Sequence, residues 1–212
     1  MKLIEGTSVT PLRRIDLEKQ AVGYLKKYQP EVLKKVKAVD LARLLDYCIY
    51  DSHGFSPKIV SGFGSSEIEA QTDFLNKTIE ITSECYDSLD VPGRPRFTVG
   101  HELGHVVIHS SQFPSLITSL QRTQKAKIET YENPEWQADH FSGALLMPLS
   151  TIFPLFSRLR DAEYDSDEIV EEIANEYLVS YSAAIARIKK INQPDLARLA
   201  YSIERVTPGG SI

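Results

Sequence analysis

Apolar residues recur every three or four positions over much of this chain, and the interruptions of that period mark its elements. Leu17, Ala21, Tyr24, Leu25 and Tyr28 fit one face of a helix. Thr10-Pro11 reads as its start and Pro30 as its stop. Asp40 reads as a second N-cap, ahead of Leu41, Leu44 and Leu45. The period then changes. Cys48-Ile49-Tyr50 predicts a short strand, and a Gly/Ser-rich loop follows over residues 53–66. Residues 68–73 and 78–82 predict two strands, with Asn76-Lys77 near the turn, and a second loop covers residues 87–95. Helical spacing returns over residues 98–109. Residues 110–134 are poorly periodic and read as mostly loop. Helices then fit residues 135–147, 150–160, 167–178, 182–191 and 195–206.

This order predicts an α+β fold, mainly helical, with a small antiparallel sheet ahead of the helix that begins near Thr98. Three regions are expected to form one compact unit. Residues 1–47 give N-terminal helices packed on the core, 48–160 the core itself, and 161–212 a C-terminal helical extension.

The chain has 212 residues, of which 42% are hydrophobic and 25% charged, enough to bury a core and too apolar for disorder. The net charge of -5 argues against a strongly basic nucleic-acid binder. Cys48 and Cys85 are the two cysteines, so neither a disulfide framework nor a cysteine zinc knuckle is expected. The longest uncharged apolar stretch, residues 141–157, is too short for a bilayer and carries Pro148 and Pro154. Glu5, Arg13 and Arg14 interrupt the start before any apolar run. A cytoplasmic protein with no membrane partner is the expectation.

The chemistry concentrates in Phe97-Thr98-Val99-Gly100-His101-Glu102-Leu103-Gly104-His105-Val106-Val107-Ile108-His109, which contains H-E-x-x-H. On a helix, residues four apart lie about 40° apart around the axis and about 6 Å along it, so His101 and His105 can share one ion. Glu102 flanks that position and can act as base on a bound water. Val99, Leu103, Val106 and Val107 fall on the opposite face, which leaves the polar pair facing a cleft. Gly100 and Gly104 flank the histidines. Each costs about 1 kcal/mol relative to Ala in a helix, and a close approach by another helix would account for both.

The candidate third ligand lies in Glu132-Asn133-Pro134-Glu135-Trp136-Gln137-Ala138-Asp139-His140. Pro134 opens a helix, Glu135 sits in its first turn, and Asp139 lies one turn on along the same face. Glu135 can complete a His2Glu site, and Asp139 can accept the free ring N–H of a metal-bound histidine. Glu132 is a fallback ligand. His140 is expected to point away from the metal. Tyr131, on the loop before this helix, is the candidate oxyanion donor. His109 lies about 12 Å along the axis from His101, too far to share its ion, and reads as a partly exposed terminal histidine.

These two segments, Arg96 to His109 and Glu135 to Pro148, resemble the ImmA/IrrE-type metallopeptidases. In the preceding hairpin, Thr78-Ile79-Glu80-Ile81 fits that family's last strand. The resemblance implies a zincin-like core and a zinc-dependent, gluzincin-like peptidase of bacterial or phage origin. It implies metal ligands at His101, His105 and Glu135 and a catalytic glutamate at Glu102. It also implies a protein substrate, a helix-turn-helix transcription repressor whose cleavage relieves repression. Zinc is the expected ion, with manganese the alternative.

A rival reading starts from residues 173–190, which superficially follow a helix-turn-helix pattern with Arg187, Lys189 and Lys190 near phosphate. It would make the chain a non-enzymatic DNA- or protein-binding regulator with a structural metal site. Leu178 stands where the turn glycine would be, and acidic residues crowd the preceding helix, so direct nucleic-acid binding is not the expected mode.

Overall fold

The structure, a computed structural model, describes residues 8–65, 67–113 and 129–206, the last six as backbone. Helix α1 (Arg14–Tyr28) buries Leu17, Ala21, Tyr24 and Leu25. It starts later than Thr10-Pro11 suggests, with the Asp16 carboxylate accepting from the backbone N–H of Arg13 at 3.2 Å and from its Nε–H at 3.0 Å. Thr10 is used as a tether instead, its N–H donating to Gln112 Oε1 at 2.8 Å. A 3₁₀ turn, Pro30–Leu33, leads to α2 (Leu41–Arg43), where the Asp40 side chain accepts from the Arg43 N–H at 2.9 Å.

The strand expected at Cys48-Ile49-Tyr50 is instead helix. A π turn, Leu44–Cys48, carries α2 into α3 (Ile49–His53), which ends at Gly54 with φ 70°. Leu41, Leu44, Leu45, Cys48 and Ile49 continue one buried stripe, and that burial outweighs the β preference of three residues. The stretch expected to be loop contains strand β1 (Ser56–Val60). Strands β2 (Ala70–Asp73) and β3 (Thr78–Thr82) form the hairpin, with Asp73 Oδ1 accepting from the Leu75 and Asn76 N–H groups and Lys77 at φ 52°.

The sheet order is β1-β3-β2. The hairpin is antiparallel, pairing Thr72 with Ile79, while β1 runs parallel to β3 from Ser56↔Thr78 to Val60↔Thr82. The sheet is therefore mixed rather than wholly antiparallel. Pro57 lies on the edge strand β1, where a missing N–H is tolerated. Ile79 and Ile81 point into the core, as do Ala70 and Thr72 on β2.

After α4 (Ser83–Asp87) comes α5 (Arg94–Gly104), which begins four residues before Thr98 with Pro95 in its first turn. It continues into a π turn, His105–His109. A 3₁₀ turn (Thr130–Glu132) precedes α6 (Pro134–Leu146), and α7 (Leu149–Asp161), α8 (Ser166–Tyr177), α9 (Tyr181–Ile191) and α10 (Pro194–Val206) complete the chain. Of the region read as loop, residues 114–128 lie outside the described residues. The fold is α+β and mainly helical.

Two packing features position the centre of the molecule. First, α5 lies very close to α6. A Cβ on Gly104 would stand 3.2 Å from the Ala138 Cα and carbonyl oxygen and 3.1 Å from Phe141 Cδ1; one on Gly100 would stand 2.5 Å from Ser142 Oγ. The glycines are the reason the two helices can approach. Second, Arg187 on α9 is 2% exposed and pairs with the buried Glu18 carboxylate of α1, while its Nε–H donates to the Met147 carbonyl at 3.0 Å. This locks α9 onto α1 and the end of α6. Arg187 is thus withdrawn from any role at a phosphate. Leu178 ends α8 in the left-handed conformation, φ 53°, doing the work of a glycine cap.

Among the described residues no single helix is long and apolar enough to cross a membrane, and the one consecutive pair that is so only when taken together, α6 and α7, is bent by 67° at its junction.

Gly104→Ala is expected to destabilise the protein by about 1–3 kcal/mol despite alanine's better helix propensity, because two of the three atoms it meets are α6 backbone. Urea denaturation checks this; unchanged stability would mean the helices have room to part.

Candidate metal centre

Two helices bring three donors together. The N-terminus of α6 is fixed by Asn133, whose Oδ1 accepts from the Glu135 and Trp136 N–H groups at 2.9 and 3.2 Å, with Pro134 at the first helical position. Glu135 is thereby held at the end of α6 that faces the histidines of α5. His101 Nε2 and His105 Nε2 lie 2.9 Å apart. Glu135 Oε2 is 3.2 Å from the first and Oε1 is 3.5 Å from the second. All three donor atoms fall within 4.8 Å of one another. Glu135 is half exposed, at 50%, so the group is reachable from solvent.

The rings are oriented through their other nitrogens. Asp139 Oδ1 sits 2.8 Å from His101 Nδ1 and accepts its proton. His105 Nδ1 lies 3.1 Å from His109 Nδ1, and His109 Nε2 lies 3.0 Å from Gln137 Oε1. The expectation of a partly exposed His109 is wrong: this side chain is fully buried. It stands four residues beyond His105, so the feature that keeps it from His101's ion places it against the far side of the His105 ring. Burial, with the neighbouring His105, pushes its pKa down to about 3 and keeps it neutral.

The charges follow from this arrangement. Burial opposes protonation of His101, but the hydrogen bonds to Asp139 and Glu135 outweigh it and raise its pKa to about 10. The hydrogen bond from His101 in turn holds the Glu135 carboxyl far below the usual carboxylate range. Asp139 thus faces the Nδ1 proton of His101, and Glu135 faces Nε2, on the side where a cation would sit. With Nδ1 of each histidine engaged, each Nε2 can present a lone pair next to a carboxylate oxygen. Two imidazoles and one carboxylate are a donor set that fits zinc with an open position.

Glu102 is buried, and its Oε2 accepts from Thr72 Oγ1 at 2.7 Å. Thr72 is a residue the sequence reading did not single out. The signal was available: Thr72 is a hydroxyl at a core-facing position of the strand beneath the H-E-x-x-H helix. Glu102 and His101 line a cleft of about 220 Å³ with Glu67, Ile68, Glu69, Ala70, Arg94, Phe97 and Thr98.

The other candidates have partners of their own. Glu132 accepts from Ser8 Oγ at 3.1 Å. His140 Nδ1 donates to its own helix at Trp136 O, 3.0 Å away. Tyr131 is 42% exposed, and its ring packs edge-on against Trp136 at 5.1 Å between centroids.

Comparisons with known proteins bear on the family and the fold. No curated protein matches the chain. Solved structures share the fold: a Mycobacterium tuberculosis transcriptional regulator superposes with a TM-score of 0.56 at 15% identity, over 85% of this chain and 48% of that one. The chain therefore spans about half the length of that protein. Residues 85–189 match the model of the IrrE N-terminal-like domain, Peptidase_M78, a span that holds His101, Glu102, His105, Glu135 and Asp139. The chain carries, over residues 85–189, a domain of the Peptidase_M78 metallopeptidase family.

Proposed function

We propose that this chain is a zinc-dependent peptidase that cleaves a partner helix-turn-helix transcription repressor at a specific site. The observation that carries the peptidase reading is the meeting of His101, His105 and Glu135 beside a cleft lined by Glu102. His101 Nε2, His105 Nε2 and one Glu135 oxygen would hold the ion. When bound, a divalent ion lowers the pKa of water and polarises a carbonyl.

The protein's own groups supply the rest. Thr72 occupies Glu102 Oε2, which leaves Oε1 for the attacking water. Glu102 takes the proton released as water adds to the scissile carbonyl and returns it to the leaving nitrogen. Asp139 keeps the His101 proton on Nδ1, so that Nε2 faces the centre. A repressor substrate follows from the family resemblance and is consistent with a structural relative that is named a transcriptional regulator. Direct DNA reading by α8 and α9 is disfavoured, because Arg187 is spent on Glu18.

Glu102→Gln should keep its zinc and lower cleavage of a true substrate about 10²–10⁴-fold, whereas Glu135→Ala should lose most of its zinc on dialysis. Metal analysis beside a cleavage assay with a co-expressed repressor tests both; full activity in Glu102→Gln would remove the base assignment.

The metal-free protein should respond to pH through His101. Its folded pKa lies above its unfolded one, so its contribution to stability is fully present below about pH 6.5 and is lost as pH rises through about 10. Melting temperatures across that window should fall more steeply for the wild type than for His101→Gln. Zinc uptake at pH 8 should release about one proton, measurable by calorimetry in buffers of different ionisation enthalpy.

A further inference from the structure

The buried residues His109 and Gln137 fall outside the ligand set and the catalytic base, yet they form a chain of hydrogen bonds that ends on a ligand. The direction of every bond in it is determined. Gln137 Nε2 donates to two backbone carbonyls, Tyr131 O at 2.6 Å and Thr10 O at 2.9 Å. Both acceptors are carbonyls, so the amide cannot be turned over without placing oxygen against oxygen. Gln137 Oε1 is therefore an acceptor, and the His109 nitrogen 3.0 Å away, Nε2, must carry the proton. His109 is then left with a lone pair on Nδ1. The facing His105 Nδ1, at 3.1 Å, must donate to it. Proton on Nδ1 leaves the lone pair of His105 on Nε2, the atom that faces His101 Nε2 and Glu135.

We propose that His109 and Gln137 are positioning residues that hold His105 in the one tautomer able to bind the metal through Nε2, using the backbone of Thr10 and Tyr131 as the fixed end of the chain. The two histidine ligands are thus oriented by different means. His101 leans on a carboxylate near the surface; His105 leans on a neutral, buried relay. A neutral acceptor suits the buried ring, because a carboxylate there would be a charge with no solvent to stabilise it. The proposal rests on the metal-centre reading above.

The test uses the full chain with zinc and a competing chelator. His109→Leu removes the acceptor and should weaken zinc binding about 10–100-fold. His109→Asn offers an oxygen near the position of Nδ1 and should recover most of that loss, which a purely packing role would not predict. Nitrogen-15 spectra of the wild type should report His105 protonated at Nδ1 and His109 at Nε2, with or without zinc. Those spectra also decide the matter if His109→Leu fails to fold. Zinc affinity unchanged in His109→Leu, or His105 carrying its proton on Nε2 in the metal-free protein, overturns the relay while leaving the peptidase reading intact. A wild type that takes up no zinc overturns the metal centre itself.

Discussion

The distance between α5 and α6 governs the rest of the molecule. Histidines on one helix and a carboxylate on the other can meet only if the two backbones come closer than ordinary side chains allow. Gly100 and Gly104 supply that closeness, facing Ser142 and Ala138. Leu103, Phe141 and Leu145, all buried, hold the helices together once they are there. The helix-propensity cost of two glycines is about 2 kcal/mol, set against the burial of several large apolar side chains at about 1.5–3 kcal/mol each. Packing wins, and the site geometry is its by-product.

Around that contact, several buried polar groups find specific partners. Arg96, at the start of α5, places its guanidinium on the carbonyls of Val39 and Leu89, and burial pulls its pKa down to about 10. Thr72 serves Glu102 from the sheet side, and Gln137 serves two carbonyls and His109 from the α6 side. An unpaired polar group in such surroundings costs about 1–3 kcal/mol, so these bonds fix orientation as much as they add stability.

Much of this was legible in the residues. The apolar stripe of α5 and the i, i+4 histidines locate one half of the candidate site, and the cap-and-proline signal at Asn133-Pro134 locates the other. What the sequence concealed has a common cause. Cys48-Ile49-Tyr50 carries β-prone side chains, but their fate is set by a buried stripe that begins at Leu41. Strand β1 contains Pro57 and exposed positions, so its pairing with β3 depends on tertiary neighbours rather than on its own pattern. His109 was judged by its distance from His101, whereas its environment is set by His105 and by a glutamine 28 residues away. Thr72 is silent until the strand beneath Glu102 is known. Local periodicity registers which face is buried; it does not register which polar atom is waiting there.

The ion pair between Glu18 and Arg187 joins residues 169 positions apart. Closing so long a loop carries an entropic penalty that local helix formation does not. A chain shortened past Glu18 or past Arg187 would therefore strand the other partner's charge inside the remaining core.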